Sequence, residues 1–190
     1  MGMAIATESR YWLPDDLDTL PDDGNRYECI DGVLLVTPSP KWTHQRVLRR
    51  LLLLIAPYVE AQRVGEAMSS PADIQLNAGD LVQPDLFVVP ADVAGRAGRE
   101  WVDVLALLLA VEVLSPSSAR NDRTLKRRYY QRSGVGEYWV VDATSHVVER
   151  WRAGDERPEV ISETLVWHPA GASEALVINL VELFRDALDR

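Results

Sequence analysis

Two carboxylates stand where apolar strands leave them little access to water. Asp85 lies in VQPDLFVV, after Pro84 and before an apolar run, and Glu112 lies near the end of LALLLAVEVLSPSS, residues 105–118. Side chains alternate faces along a strand, and Leu105 to Leu114 is apolar on both faces, so this strand reads as central and covered on both sides. Glu112 then shares a face with Ala110 and Leu114. An unpaired ionised carboxylate there costs on the order of several kcal/mol, so each must be paired, protonated or bound to a cation. Two carboxylates from successive strands, meeting at one end of a sheet, form an oxygen-rich site suited to a hard cation such as Mg²⁺. Salt bridges to arginine are the competing reading for each. Lys126 adds chemistry to the pair. Asp122, Lys126, Tyr129 and Tyr130 fall on one face of the segment after Ser115-Pro116, and the short turn keeps that segment near the end of the Glu112 strand. Two carboxylates, a divalent metal and a lysine can hydrolyse a phosphodiester. The metal polarises the phosphoryl group and acidifies a water, while the lysine orients that water or offsets developing negative charge.

The elements that must position these residues read as follows. RYECI and VLLVT flank Asp31-Gly32, a tight hairpin signature. Ser39-Pro40 reads as an N-cap and first-turn proline, opening a helix from Lys41 to about Val59. His44, Val47, Leu48, Leu51, Leu54, Ile55 and Tyr58 recur at helical spacing on its buried side, and Pro57 kinks or ends it. Short strands are expected at Val64 to Met68 and Ala72 to Leu76, and a stronger one at Leu81 to Val89. A polar loop spans Asp92 to Glu100. Ser118 is placed to cap a helix from Ala119 to about Ser133, closed by Gly134. EYWVVD and HVVERW form a second hairpin, with weaker strands at Thr164 to Trp167 and Ala175 to Ile178 and short helices at Asp15 to Leu20 and Val181 to Ala187. This order predicts an α/β (α+β) fold, a mixed sheet with helices packed on it and additional β-hairpins, in a single domain 1–190.

The chain has 190 residues, 47% of them hydrophobic, and a net charge of −9. That charge argues against nonspecific coating of nucleic acid. The charge is uneven: residues 119–133 carry Arg120, Arg123, Lys126, Arg127, Arg128 and Arg132 against Asp122 alone. Such a face either binds a polyanion or is simply solvated. No stretch is long and apolar enough to span a bilayer, and MGMAIATESR lacks the order of a signal peptide. The single cysteine, Cys29, excludes an internal disulfide and suits a reducing cytoplasm. His44, His146 and His168 show no zinc spacing.

Pro84-Asp85, Glu112-Val113-Leu114 and Lys126 together resemble the PD-(D/E)XK nuclease superfamily. RYECIDGVLL, His44, VQPDLFVV, VEVLSPSS, Asp122 with Lys126 and Tyr129, and GVGEYWVVD are similar to its Uma-type branch of restriction-endonuclease-like proteins, over roughly Tyr27 to Trp151. The resemblance implies a restriction-endonuclease-like core, over about residues 26–152. The superfamily lysine stands two residues after the strand carboxylate, where this chain has Leu114. The Uma-type branch takes it from the following helix, here Lys126. The resemblance also draws in Glu28 as a helper of the metal site, against the alternative of a surface strand glutamate. His44, Asp122 and Tyr129 are auxiliary candidates, with core packing as the alternative for His44 and Tyr129.

The expected protein is therefore a metal-dependent DNA endonuclease. Asp85, Glu112 and the Val113 carbonyl hold Mg²⁺ or Mn²⁺, Lys126 positions water, and Glu28 assists. Arg120, Arg123 and Arg127, with Lys41, Arg46, Arg49 and Arg50, are candidate phosphate contacts, and a homodimer is the simplest assembly for cutting both strands. Two rivals remain: a non-catalytic protein of the same fold that binds nucleic acid or a protein, and a phosphohydrolase for small phosphates, which would need a closed pocket.

Overall fold

The computed structural model describes residues 10–95, 101 and 104–189. After a short α1 (Pro14–Leu17) come β1 (Arg26–Ile30) and β2 (Val33–Thr37), then α2 (Trp42–Gln62), β3 (Gly65–Ser69), β4 (Leu86–Pro90), α3 (Ala91–Ala94) and β5 (Leu109–Val113). A helical rod follows in three pieces: α4 (Ala119–Asn121), a π-helical turn (Asp122–Lys126) and α5 (Arg127–Arg132). The chain ends with β6 (Glu137–Asp142), β7 (Val147–Trp151), β8 (Glu159–Ile161), β9 (Thr164–Trp167), β10 (Leu176–Asn179) and α6 (Leu180–Leu188).

The main sheet has six strands in the order β3-β4-β5-β6-β7-β8. β5 and β6 are parallel and every other neighbouring pair is antiparallel. A parallel pair needs a crossover, and the helical rod supplies it. The β1–β2 hairpin and the β9–β10 pair form separate two-stranded sheets, while the expected second hairpin, β6–β7, lies inside the main sheet. Asp31 and Gly32 both take positive φ, at 52° and 74°, the backbone that a two-residue hairpin of this hand requires.

Strand alternation divides the interior in two. Leu86, Val88, Leu109, Val111 and Val113 face Val47, Leu51 and Ile55 of α2 and Phe184 of α6. Phe87, Val89 and Ala110 point the other way, toward Tyr129, Tyr130 and Tyr138 and the hairpin residues Ile30 and Leu35. Both faces of β5 are covered, which is why its sequence is apolar throughout.

Several expectations need correction. The apolar run beginning at Leu105 is a strand only from Leu109, and Leu105 itself is 67% exposed. Ser39 does not cap α2: Lys41 is the N-cap, while the Ser39 hydroxyl donates to the Gly24 carbonyl at 2.8 Å. Pro57 lies inside α2, which continues to Gln62. Ser118 opens the rod with helical rather than extended backbone, so its hydroxyl bonds back to Ser115 instead of capping. Ala72 to Leu76 contributes only an isolated bridge, Ile74 to Val82, rather than a strand. The expected 92–100 loop begins inside α3, and its residues 96–100 lie outside the described residues.

Candidate active site

The pairing of β4 with β5 sets the geometry. Phe87 lies opposite Ala110 and Leu86 opposite Val111, so one more step in the same register brings Asp85 opposite Glu112. Both share the face of Phe87 and Ala110, beneath the helical rod and the β1–β2 hairpin. Each is only 2% exposed.

Asp85 is held from three sides. Arg26 Nη1 donates to Oδ1 at 2.8 Å, and the Val113 main-chain N–H donates to Oδ2 at 2.9 Å. His44, from the first turn of α2, lies with Nε2 2.9 Å from Oδ2. Burial opposes ionisation, but the His44 and Arg26 contacts outweigh it and hold Asp85 down at about 2. An ionised carboxylate only accepts, so His44 Nε2 carries the hydrogen.

Glu112 faces different partners. Its Oε1 accepts from Lys126 Nζ at 2.9 Å and from the Tyr130 hydroxyl at 3.3 Å. Lys126 Nζ also forms ion pairs with Glu28 Oε2 at 2.7 Å and, at the limit of contact, with Asp122 Oδ1 at 4.0 Å. Glu28 Oε1 accepts the Gln83 N–H at 2.7 Å. One ammonium thus faces three carboxylates. Burial opposes the Lys126 charge, yet Glu112, Glu28 and Asp122 together raise its pKa. The acids do not recover their own cost in the same way. Burial pushes Glu112 well above the usual carboxylate range despite Lys126, and Asp85, Asp122 and Glu28 add to the push. Burial likewise pushes Asp122 up to about 6.

The π turn places Asp122 and Lys126 in the interior, and the Tyr138 hydroxyl anchors it by donating to the Asp122 carbonyl at 3.0 Å. Turns of this kind recur at functional sites.

The residues expected from sequence separate into two groups. Asp85, Glu112, Lys126, Glu28, His44 and Asp122 converge, and Val113 meets Asp85 through its N–H. Tyr129 does not join them: its hydroxyl accepts the Leu76 N–H at 3.2 Å, and Tyr130 takes the place at Glu112. Arg123 pairs with Asp142 and Glu149, and Arg127 bonds Gln131 and lies over the Trp151 ring, so both side chains already have partners in this structure. Arg120 remains exposed, with no side-chain partner among the described residues. Arg26 was missed, and Tyr130, although placed on the Lys126 face, was given no role. Arg26 shares a strand face with Glu28 two residues on, and Tyr130 stands four residues after Lys126. Both spacings were visible in the sequence.

Among the described residues no three His, Cys, Asp or Glu side chains form a metal-holding group. Mg²⁺ does not require one, since it is commonly held by one or two carboxylates and keeps several waters. The donor chemistry fits such a cation. Glu28 Oε2 and both Asp122 carboxylate oxygens are buried without a hydrogen-bond donor of good geometry. The acids that Lys126 fails to neutralise leave negative charge a cation would relieve.

The family model described as "Putative restriction endonuclease", Uma2, matches residues 14–189. The chain belongs to the Uma2 family. No curated protein matches the sequence. Among solved structures, that of a "putative nuclease belonging to DUF820" from Anabaena variabilis ATCC 29413 is similar, with a TM-score of 0.77 and 24% identity over 93% of this chain and 99% of that one. At that identity the likeness speaks for the fold. Uma2 membership supports a nuclease, and no helix among the described residues is long and apolar enough to cross a membrane.

Asp122 gives this Uma2 chain a testable pH dependence. Its raised pKa means that ionisation in the folded protein is unfavourable. The penalty is absent below the ordinary carboxylate pKa of about 4 and full above about 6. Asp122→Asn is therefore expected to stabilise the metal-free protein at pH 7.5 by on the order of 2 kcal/mol, with the gain gone near pH 4. Urea denaturation at the two pH values measures this. A variant less stable at pH 7.5 would show that pairing with Lys126 outweighs burial.

Proposed function

We propose that this protein is a metal-dependent endonuclease that hydrolyses DNA phosphodiester bonds, working as a homodimer on duplex substrate in the cytoplasm. The observation that carries the reading is the convergence of Asp85 and Glu112, opposed on adjacent strands, with Lys126 Nζ 2.9 Å from Glu112. This arrangement resembles that of the PD-(D/E)XK superfamily, with the lysine supplied by the helix.

Asp85 and Glu112, with the Val113 carbonyl, would hold Mg²⁺ or Mn²⁺. When bound, the cation supplies polarisation of the phosphoryl oxygens and acidification of a water. An ammonium has three N–H donors, and Glu28 and Glu112 lie 2.7 and 2.9 Å from it, so Lys126 keeps one donor for a water or a phosphate oxygen. Glu28 fixes the ammonium from the other side, and Tyr130 steadies the Glu112 carboxylate. Arg26 and His44 occupy Asp85 in this structure, so a bound cation would share that carboxylate with them or replace one of them.

That occupancy also favours a second reading: a non-catalytic nuclease-fold protein whose carboxylates serve only this ion network. The small-substrate alternative is less favoured, because the depressions beside Asp85 are open and of about 250 and 200 Å³, below the roughly 300 Å³ at which small-molecule pockets begin. A nuclease assay with Mg²⁺ and with chelator, comparing wild type with the Asp85→Ala, Glu112→Ala double variant, decides. Cleavage should require both the metal and the carboxylates. Cleavage by the double variant, or by wild type in chelator, would contradict the mechanism, and absence of both cleavage and calorimetric metal binding in wild type would favour the second reading.

A further inference from the structure

One depression beside the site differs in charge from the rest of this acidic chain. It has a volume of about 250 Å³, and its lining includes Arg26, Lys41 and His44 together with Ser115, Ser117 and Ser118, but no aspartate or glutamate. Lys41 has no side-chain partner among the described residues. Arg26 Nε and His44 Nδ1 are buried without a hydrogen-bond acceptor or donor, and His44 is only 7% exposed. The three serine hydroxyls lie against one another, with Ser115 Oγ 3.0 Å from Ser117 Oγ and 2.9 Å from Ser118 Oγ. Ser115 bridges the other two, so two of the three hydroxyl hydrogens are shared among them and one is left to turn outward. A second depression of about 200 Å³ shares Arg26 and Pro40 with the first and reaches Asp85.

We propose that the acid-free depression is a phosphate subsite, which seats the backbone phosphate next to the one being cleaved. This rests on the nuclease reading of the neighbouring carboxylates. Arginine, lysine and hydroxyl donors are the usual chemistry for a phosphate diester, and Asp85, which touches Arg26 and His44 from behind, does not line the depression. The acidic centre repels the scissile phosphate until a cation arrives, so an anchoring contact must come from beside it. The size suits one backbone unit of a longer chain rather than an engulfed small molecule. Arg26 links the two places, touching Asp85 with Nη1 while its Nε stays unused.

The test is fluorescence anisotropy of a labelled single-stranded oligodeoxynucleotide with the full chain in chelator, where no cleavage occurs. Lys41→Ala should weaken binding about fivefold or more and reduce the slope of log affinity against log salt by about one. Ser117→Asp, at an exposed position, should weaken it about tenfold by placing an anion in the subsite. Arg157→Ala is the control, exposed between β7 and β8 at the opposite end of the sheet, and should match wild type. Equal losses in all three variants, no loss at Lys41 and Ser117, or no measurable binding by wild type would each overturn the subsite. Calorimetry with inorganic phosphate separates the sources: variants that lose phosphate binding but keep oligonucleotide affinity would assign the depression to a free anion and overturn the strand-phosphate assignment. Cleavage assayed separately keeps the two ideas apart. A wild type that cleaves while the pocket variants bind normally loses only the subsite, and one that binds through the pocket but never cleaves loses only the nuclease reading.

Discussion

Lys126→Ala is expected to lower turnover by several orders of magnitude and, in the same variant, to destabilise the metal-free protein by about 3–5 kcal/mol. The second effect arises because this lysine is a buried counter-ion as well as a candidate catalytic group. It is 2% exposed and faces Glu28, Glu112 and Asp122. Removing it leaves those carboxylates buried against one another with no cation. For a chain of this size the loss corresponds to a fall in melting temperature of roughly 10 °C. Affinity for a divalent cation should stay level or rise slightly, because the ammonium competes for Glu112. Turnover should be measured well below the new melting point at saturating DNA, with Arg120→Ala as the comparator. Adding Glu112→Gln to Lys126→Ala should recover part of the stability and none of the activity. Turnover of Lys126→Ala equal to that of Arg120→Ala would remove the lysine from the mechanism.

Glu112→Gln alone should move activity and stability in opposite directions. Cleavage should fall at least about a thousandfold, since a neutral amide is a poor ligand for a hard cation. Stability in chelator should rise by on the order of 1 kcal/mol. Burial, with Asp85, Asp122 and Glu28 nearby, raises the Glu112 pKa in the folded state, so its ionisation weakens the fold above the ordinary carboxylate range. Glutamine keeps the shape and removes the charge, and Lys126 retains Glu28. The gain should shrink as pH falls below about 4, where the wild-type carboxylate is protonated in both folded and unfolded states. A thermal melt in chelator at neutral pH showing the variant clearly less stable would mean that the Lys126 ion pair outweighs desolvation.

The elements that carry these groups were legible because their signals are local. Asp31-Gly32 announced its hairpin, the 3.6-residue spacing of Val47, Leu51 and Ile55 announced α2, and Gly134 closed the rod at a φ of 72°. Asp85 and Glu112 were legible because charges inside apolar strands need a reason. What failed depended on neighbours distant in sequence. Whether Leu105 is strand or surface depends on whether a partner strand reaches it. Whether Arg123 meets phosphate or Asp142 depends on where β6 ends. Tyr129 and Tyr130 are adjacent in sequence but point to different partners, Leu76 and Glu112, and helical spacing alone could not choose between them. The π turn has no sequence signature here, because its cause is the interior that Asp122 and Lys126 must reach.

That turn acts as a phase shifter. An α-helix advances by about 100° per residue, so the wider turn at Asp122–Lys126 rotates everything after it relative to a uniform helix. The same rod must aim Lys126 at the acids and then seat Tyr129 and Tyr130 in the core. Side-chain replacements within the turn change chemistry but keep this angular offset. Loss of a single residue would restore uniform winding and set the lysine and the tyrosine pair at odds, whichever of them kept its place. Chain length between the strand carboxylate and the tyrosines is therefore constrained as tightly as residue identity, although no individual residue in the interval records it.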